Sequence, residues 1–117
     1  MAEVEITRVE FSETADGLGI EISQTATAGN TIHTAHTTSY DEIWAWANNN
    51  STATKRLTVE WGGVASTDDH IVVDVPPIGA PPSLIIPGLI LTNSKLFLAF
   101  CETTNVISVF GYVNRIG

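Results

Sequence analysis

Apolar and polar residues alternate with period two along most of this 117-residue chain, and Gly, Pro and Asn-rich turns cut the pattern at short intervals. Thr54 to Trp61 carries the alternation most cleanly. Leu57, Val59 and Trp61 share one face, while Arg56, Thr58 and Glu60 share the other. Leu18 to Ser23 repeats it, with Leu18, Ile20 and Ile22 opposed to Gly19, Glu21 and Ser23. Asp41 to Asn48 departs from the rule: Ile43, Ala45 and Ala47 point one way and Trp44 and Trp46 the other, so both faces are apolar. Asn48-Asn49-Asn50-Ser51 reads as a loop that joins this segment to Thr54–Trp61 in a hairpin longer than a tight turn. Thr31 to Thr38 is rich in β-branched residues and reads as a solvent-side strand.

Towards the C-terminus the segments become shorter and more apolar. His70 to Val75 is followed by the connector Pro76 to Pro82. That connector reads as a stiff crossover between sheets, or less readily as a polyproline II ligand. Ser83–Ile86 and Gly88–Thr92 flank Pro87, which must occupy an edge, a bulge or a strand start because it lacks an N–H. Leu96–Glu102 and Val106–Val113 complete the series. No segment has helical periodicity. The pattern predicts an all-β chain, a single-domain antiparallel β-sandwich of about eight or nine strands, with a jelly roll as one arrangement.

Residues 1–16 stand apart as an acidic N-terminal arm or edge strand, in which Val4, Ile6, Arg8 and Glu10 alternate with Glu3, Glu5, Thr7, Val9 and Phe11. Asp16-Gly17 marks a turn into the sandwich domain, residues 17–117.

The charge distribution sharpens this picture. From Ile71 to Ile116 only Asp74, Lys95, Glu102 and Arg115 are charged. A small antiparallel sheet normally keeps one face wet. Leu96 to Cys101 and Val106 to Val113 are instead apolar on both faces. A chain of this size fills one face from its own core, so the second face calls for a partner, most simply a further copy in a homo-oligomer. The net charge of −8 disfavours direct nucleic-acid binding, which needs clustered Lys and Arg. Eight acids against Arg8 in residues 1–42 suit a solvated arm or a basic protein surface. No apolar run approaches the ~18 residues that span a membrane. Met1 to Glu5 lacks the basic start and apolar core of a signal peptide. Cys101, alone, reads as a small buried hydrophobe.

No constellation of catalytic residues emerges. His33 and His36, three apart on a strand, face opposite ways, and Asp68-Asp69-His70 reads as a solvated loop. No nucleophile elbow is present, and Asp41-Glu42 suits a strand start. We therefore expect no enzyme activity, no metal and no cofactor. Trp44, Trp46 and Trp61 admit two roles: stacking on sugar rings, or anchoring a core or subunit interface, the second being favoured. The residues expected at an interface are Trp44, Trp46, Phe97, Phe100, Phe110 and Tyr112.

The stretch from Glu42 to Ile116 resembles small virion proteins of tailed bacteriophages. The resemblance rests on the aromatic-rich strand Ile43–Asn48, the strand end Thr58–Gly63, Ile86-Pro87-Gly88-Leu89, Asn105-Val106-Ile107 and Gly111–Ile116. It implies a non-enzymatic structural protein, assembled in the host cytoplasm and located in the virion. The implied role is that of a capsid decoration or cement protein, a homotrimer at threefold positions that clamps the major capsid protein. A tail-associated β-sandwich binding glycans or a receptor is the alternative, as is another neck or tail structural protein.

Overall fold

The computed structural model describes residues 4–117, so the part of the N-terminal alternation that falls on Glu3 lies outside the described residues. Among the described residues nine strands form: β1 (Ile6–Val9), β2 (Ile20–Glu21), β3 (Asn30–Thr34), β4 (Tyr40–Asn49), β5 (Lys55–Trp61), β6 (His70–Val75), β7 (Ser83–Leu91), β8 (Leu96–Cys101) and β9 (Ile107–Ile116). They make two antiparallel sheets. Sheet A has the order β1-β9-β4-β7, with β2 also on β9; sheet B has the order β3-β8-β5-β6.

The pairings β2·β9, β3·β8, β4·β7 and β5·β6 nest around the β5–β6 turn, like one long hairpin. Rolling that hairpin brings β4 onto β9 and β5 onto β8, which closes each sheet. This is the strand order of a jelly-roll β-sandwich.

The rolled topology corrects the expected β4–β5 hairpin. β4 lies in sheet A and β5 in sheet B, so the 50–54 loop crosses between layers. Asn49 fixes that crossing. Its buried amide donates to the Ala53 and Val75 carbonyls, at 2.8 and 3.1 Å, while its Oδ1 accepts from Ser51. Two further expectations fail for local reasons. The strand expected over Leu18–Ser23 shortens to Ile20–Glu21, with Leu18 exposed. β3 is not solvent-facing: a register shift between Thr31 and His33 turns both Ile32 and His33 inward. Pro87 lies on edge strand β7 between two register shifts, where a missing N–H is tolerated.

The core between the sheets is built from Ile43, Ala45, Leu57, Val59, Ile86, Phe97, Ala99, Val109 and their neighbours. Cys101 is part of it, and burial pushes its thiol up. Of the two readings for the N-terminal arm, β1 takes the edge-strand form, pairing Ile6 to Val9 with Ile116 to Val113. Phe11 then enters the core edge-on to Phe97, ring centroids 6.0 Å apart.

One polar network is sealed against this core. Arg115 donates to both oxygens of Asp41 at 2.8 and 3.0 Å, and His33 Nε2 meets Asp41 Oδ2 at 2.7 Å. Burial opposes ionisation of Asp41, but hydrogen bonds from Arg115, His33 and the His36 N–H outweigh it and hold the carboxyl below its usual range.

Candidate interaction surface

The alternation of β4 decides what its outer face displays. Ile43, Ala45 and Ala47 enter the core, so Glu42, Trp44, Trp46 and Asn48 project from sheet A on the opposite side. β9 runs alongside in the register Trp44↔Tyr112 and Trp46↔Phe110, and it adds those two rings to the same face. β7 contributes Leu84 opposite Trp46 and Ile90 opposite Glu42; they are 48% and 47% exposed. The result is an aromatic platform with aliphatic margins. Trp44 and Trp46 stack at 6.5 Å and Tyr112 tilts onto Trp46 at 6.1 Å, while Phe110 stays 41% exposed.

Polar groups brace this platform from one side. Trp44 Nε1 donates to Glu42 Oε1 at 2.7 Å, and Asn114 Nδ2 donates to the same oxygen at 3.2 Å. These hydrogen bonds, that from Trp44 first, draw the Glu42 carboxyl below its usual range. Arg8 donates to Asn114 Oδ1 and lays its guanidinium 4.5 Å from the centre of the Tyr112 ring. Gly88 supports Trp44 from the β7 side. It has φ +78°, and a Cβ there would press on the indole at 2.8 Å.

Trp46, Asn48, Pro82 and Phe110 frame a shallow depression of about 580 Å³ with no charged group in its lining. Among the described residues, no protein group accepts from the Trp46 indole N–H. The depression therefore offers ring faces, one free N–H and a side-chain amide.

The six residues expected at an interface thus divide. Trp44, Trp46, Phe110 and Tyr112 converge on the outer face of sheet A. Phe97 does not belong with them: it is 0% exposed, packed between Phe11 and Trp61 in the core, because its register on β8 points it inward. Phe100 lies on the opposite side of the molecule, half-buried and edge-on to His70.

On that opposite side, the chain itself covers the outer face of sheet B around Glu60 and Leu98, while Val72 on the same face stays 53% exposed. The segment from Gln24 to Gly29 reaches across β8 to Glu60 on β5. Thr27 Oγ1 donates to Glu60 Oε2 at 3.0 Å and the Gly29 N–H donates to Oε1 at 2.6 Å. Glu60 is 0% exposed and Leu98, its neighbour across the ladder, is 5% exposed. A Cβ on Gly29 would collide with the Ala99 carbonyl, so the segment lies directly against β8. His70 opens β6, the strand expected over His70–Val75, with Nε2 3.5 Å from Glu60.

Sequence reasoning missed Leu84, Ile90, Arg8 and Asn114 as members of the sheet A face. Only strand pairing brings them there. No trio of His, Cys, Asp or Glu able to hold a metal ion occurs among the described residues. Comparisons with protein-family models, curated proteins and solved structures returned no match to this chain.

Proposed function

We propose that this chain is a non-enzymatic structural protein of a bacteriophage particle, a capsid decoration or cement protein. It associates with itself, as a trimer at threefold positions, and clamps the major capsid protein lattice. The observation that carries the reading is the outer face of sheet A. Four aromatic side chains and two exposed aliphatic ones meet there, and among the described residues no loop folds across them, although Arg8 lies over the Tyr112 ring. An apolar patch of this kind marks a protein-binding surface. Buried Trp and Tyr supply much of the affinity at such surfaces. In a chain of net charge −8, a weakly charged face is also where a second acidic copy meets least repulsion. The jelly-roll order adds an argument by analogy, since capsid components often use it.

The test is copy number per particle. Quantitative mass spectrometry of purified virions is expected to find hundreds of copies, and the chain should rebind capsids stripped of it. A few copies confined to the neck or tail would overturn the decoration role.

A second reading has its own support in the depression at Trp46, Asn48, Pro82 and Phe110. Ring faces beside an amide suit a neutral sugar. Saturable glycan-array binding that disappears with Trp46→Ala would favour a tail-associated glycan-binding protein instead.

A further inference from the structure

Inside the sandwich, the imidazole of His33 grips the segment that follows β1. Ser12 donates its backbone N–H to His33 Nδ1 at 3.0 Å. That nitrogen must therefore carry a lone pair, and the ring proton sits on Nε2, which donates to Asp41 Oδ2 at 2.7 Å. Ser12 binds β3 a second time, as its Oγ accepts the Thr34 N–H at 2.8 Å. Phe11, one residue earlier, packs its ring 6.1 Å from the imidazole. The neutral ring thus satisfies both of its nitrogens while 1% exposed.

An imidazolium has an N–H at both nitrogens. Its new proton, on Nδ1, would point at the N–H of Ser12, and turning the ring over only brings another donor to the same place. The surrounding charges do not remove this conflict. Asp41 on β4 is already shared with Arg115 of β9, and Glu13 lies on the gripped segment itself. Burial is the largest influence and lowers the ring's proton affinity. Asp41 and Glu13 raise it and Arg115 lowers it, leaving His33 below its ordinary value of 6.5.

We propose that His33 is a proton-operated clasp: its neutral ring holds residues 10–14, and with them β1, on the sandwich, and its protonation in acid releases this segment while both sheets stay folded. Release bares the edge of β9 from Val113 to Ile116, whose backbone groups then stand open to a strand from another chain. The proposal does not depend on the functional reading above.

Hydrogen–deuterium exchange on the full chain between pH 7.5 and pH 4, corrected for intrinsic rates, tests it. Protection of residues 6–14 is expected to fall by up to about tenfold per pH unit as pH drops from 6.5 towards the His33 midpoint and to level off below it, with residues 55–61 and 96–101 unchanged. NMR of the imidazole is expected to show the Nε2–H tautomer at pH 7.5, titrating at the same midpoint. His33→Gln, which keeps a donor and an acceptor but takes no proton, should hold the segment at every pH. Release that persists in His33→Gln, release that follows His36 or His70, or loss of both sheets together with the segment would overturn the clasp. Should His33→Gln not fold, the match or mismatch between the His33 midpoint and the release midpoint in the native chain decides.

Discussion

The two sheets of this sandwich treat their outer faces differently. Sheet B carries a carboxylate, Glu60, and a leucine, Leu98, on its outer side, and the chain folds its own 24–29 segment across them until both are buried. Sheet A carries Trp44, Trp46, Phe110 and Tyr112, and among the described residues no loop folds across them; the Arg8 side chain alone is stacked on a ring, that of Tyr112. The lesson concerns what a two-faced apolar strand means. On β8 a loop of the same chain covers the middle of the second apolar face at Leu98, leaving Leu96 exposed. β4 and β9 are apolar on both faces, and among the described residues no loop closes over the second one. The aromatic platform therefore puts the main argument for self-association on sheet A.

Substitutions on each side should separate the two cases. The largest effect is expected at Phe97, which the core claims: Phe97→Ala should cost about 3–5 kcal/mol in urea unfolding. A loss under about 1 kcal/mol would return it to the interface group. Glu60→Ala should cost about 2 kcal/mol, since it strips the half-buried Gly29 N–H of its acceptor. Faster amide exchange confined to residues 24–29 and their neighbours on β8 would mark the uncovering of sheet B.

Acidification acts first at the edge of the core, above the range where the outer-face carboxylates Glu42 and Asp74 titrate. His33 has a folded-state value below 6.5, so the unfolded chain takes up the proton first. Stability is full above that value and falls as pH drops through it, by up to about 1.4 kcal/mol per unit until the folded ring also titrates. Asp41, held below the usual carboxylate value of 3.8, adds a second loss only below that pH. Urea midpoints at pH 7.5, 5.5 and 3.5 check both windows. The smallest stability effect is expected on sheet A: Phe110→Ser should change folding by less than about 1 kcal/mol. It should nonetheless weaken association, read as a shift towards monomer in sedimentation.

Much of this was legible in the residue pattern. Alternation gave most of the strand segments, and the Ile43–Ala47 pattern put Trp44 and Trp46 together on an outward face before any pairing was known. What alternation does not carry is which strand lies beside which. A short loop joins either a hairpin or two layers, so the β4–β5 connection was open to both, and Asn49 decides it through hydrogen bonds that no periodicity encodes. A bulge breaks the period of two, which is why His33 read as solvent-facing while it lies sealed beside Asp41. Phe97 and Phe100 read alike because burial by a distant loop leaves no local mark in β8.

Oxidative footprinting of the purified chain, from its most dilute state to its assembled state and onto capsids, tests the uncovered face most directly. The account predicts that Trp44, Trp46, Phe110 and Tyr112 lose reactivity together on assembly, while Phe100 on sheet B keeps the reactivity it had. Unchanged reactivity of the four aromatic residues at every concentration and on capsids, or protection arising on sheet B instead, would contradict it.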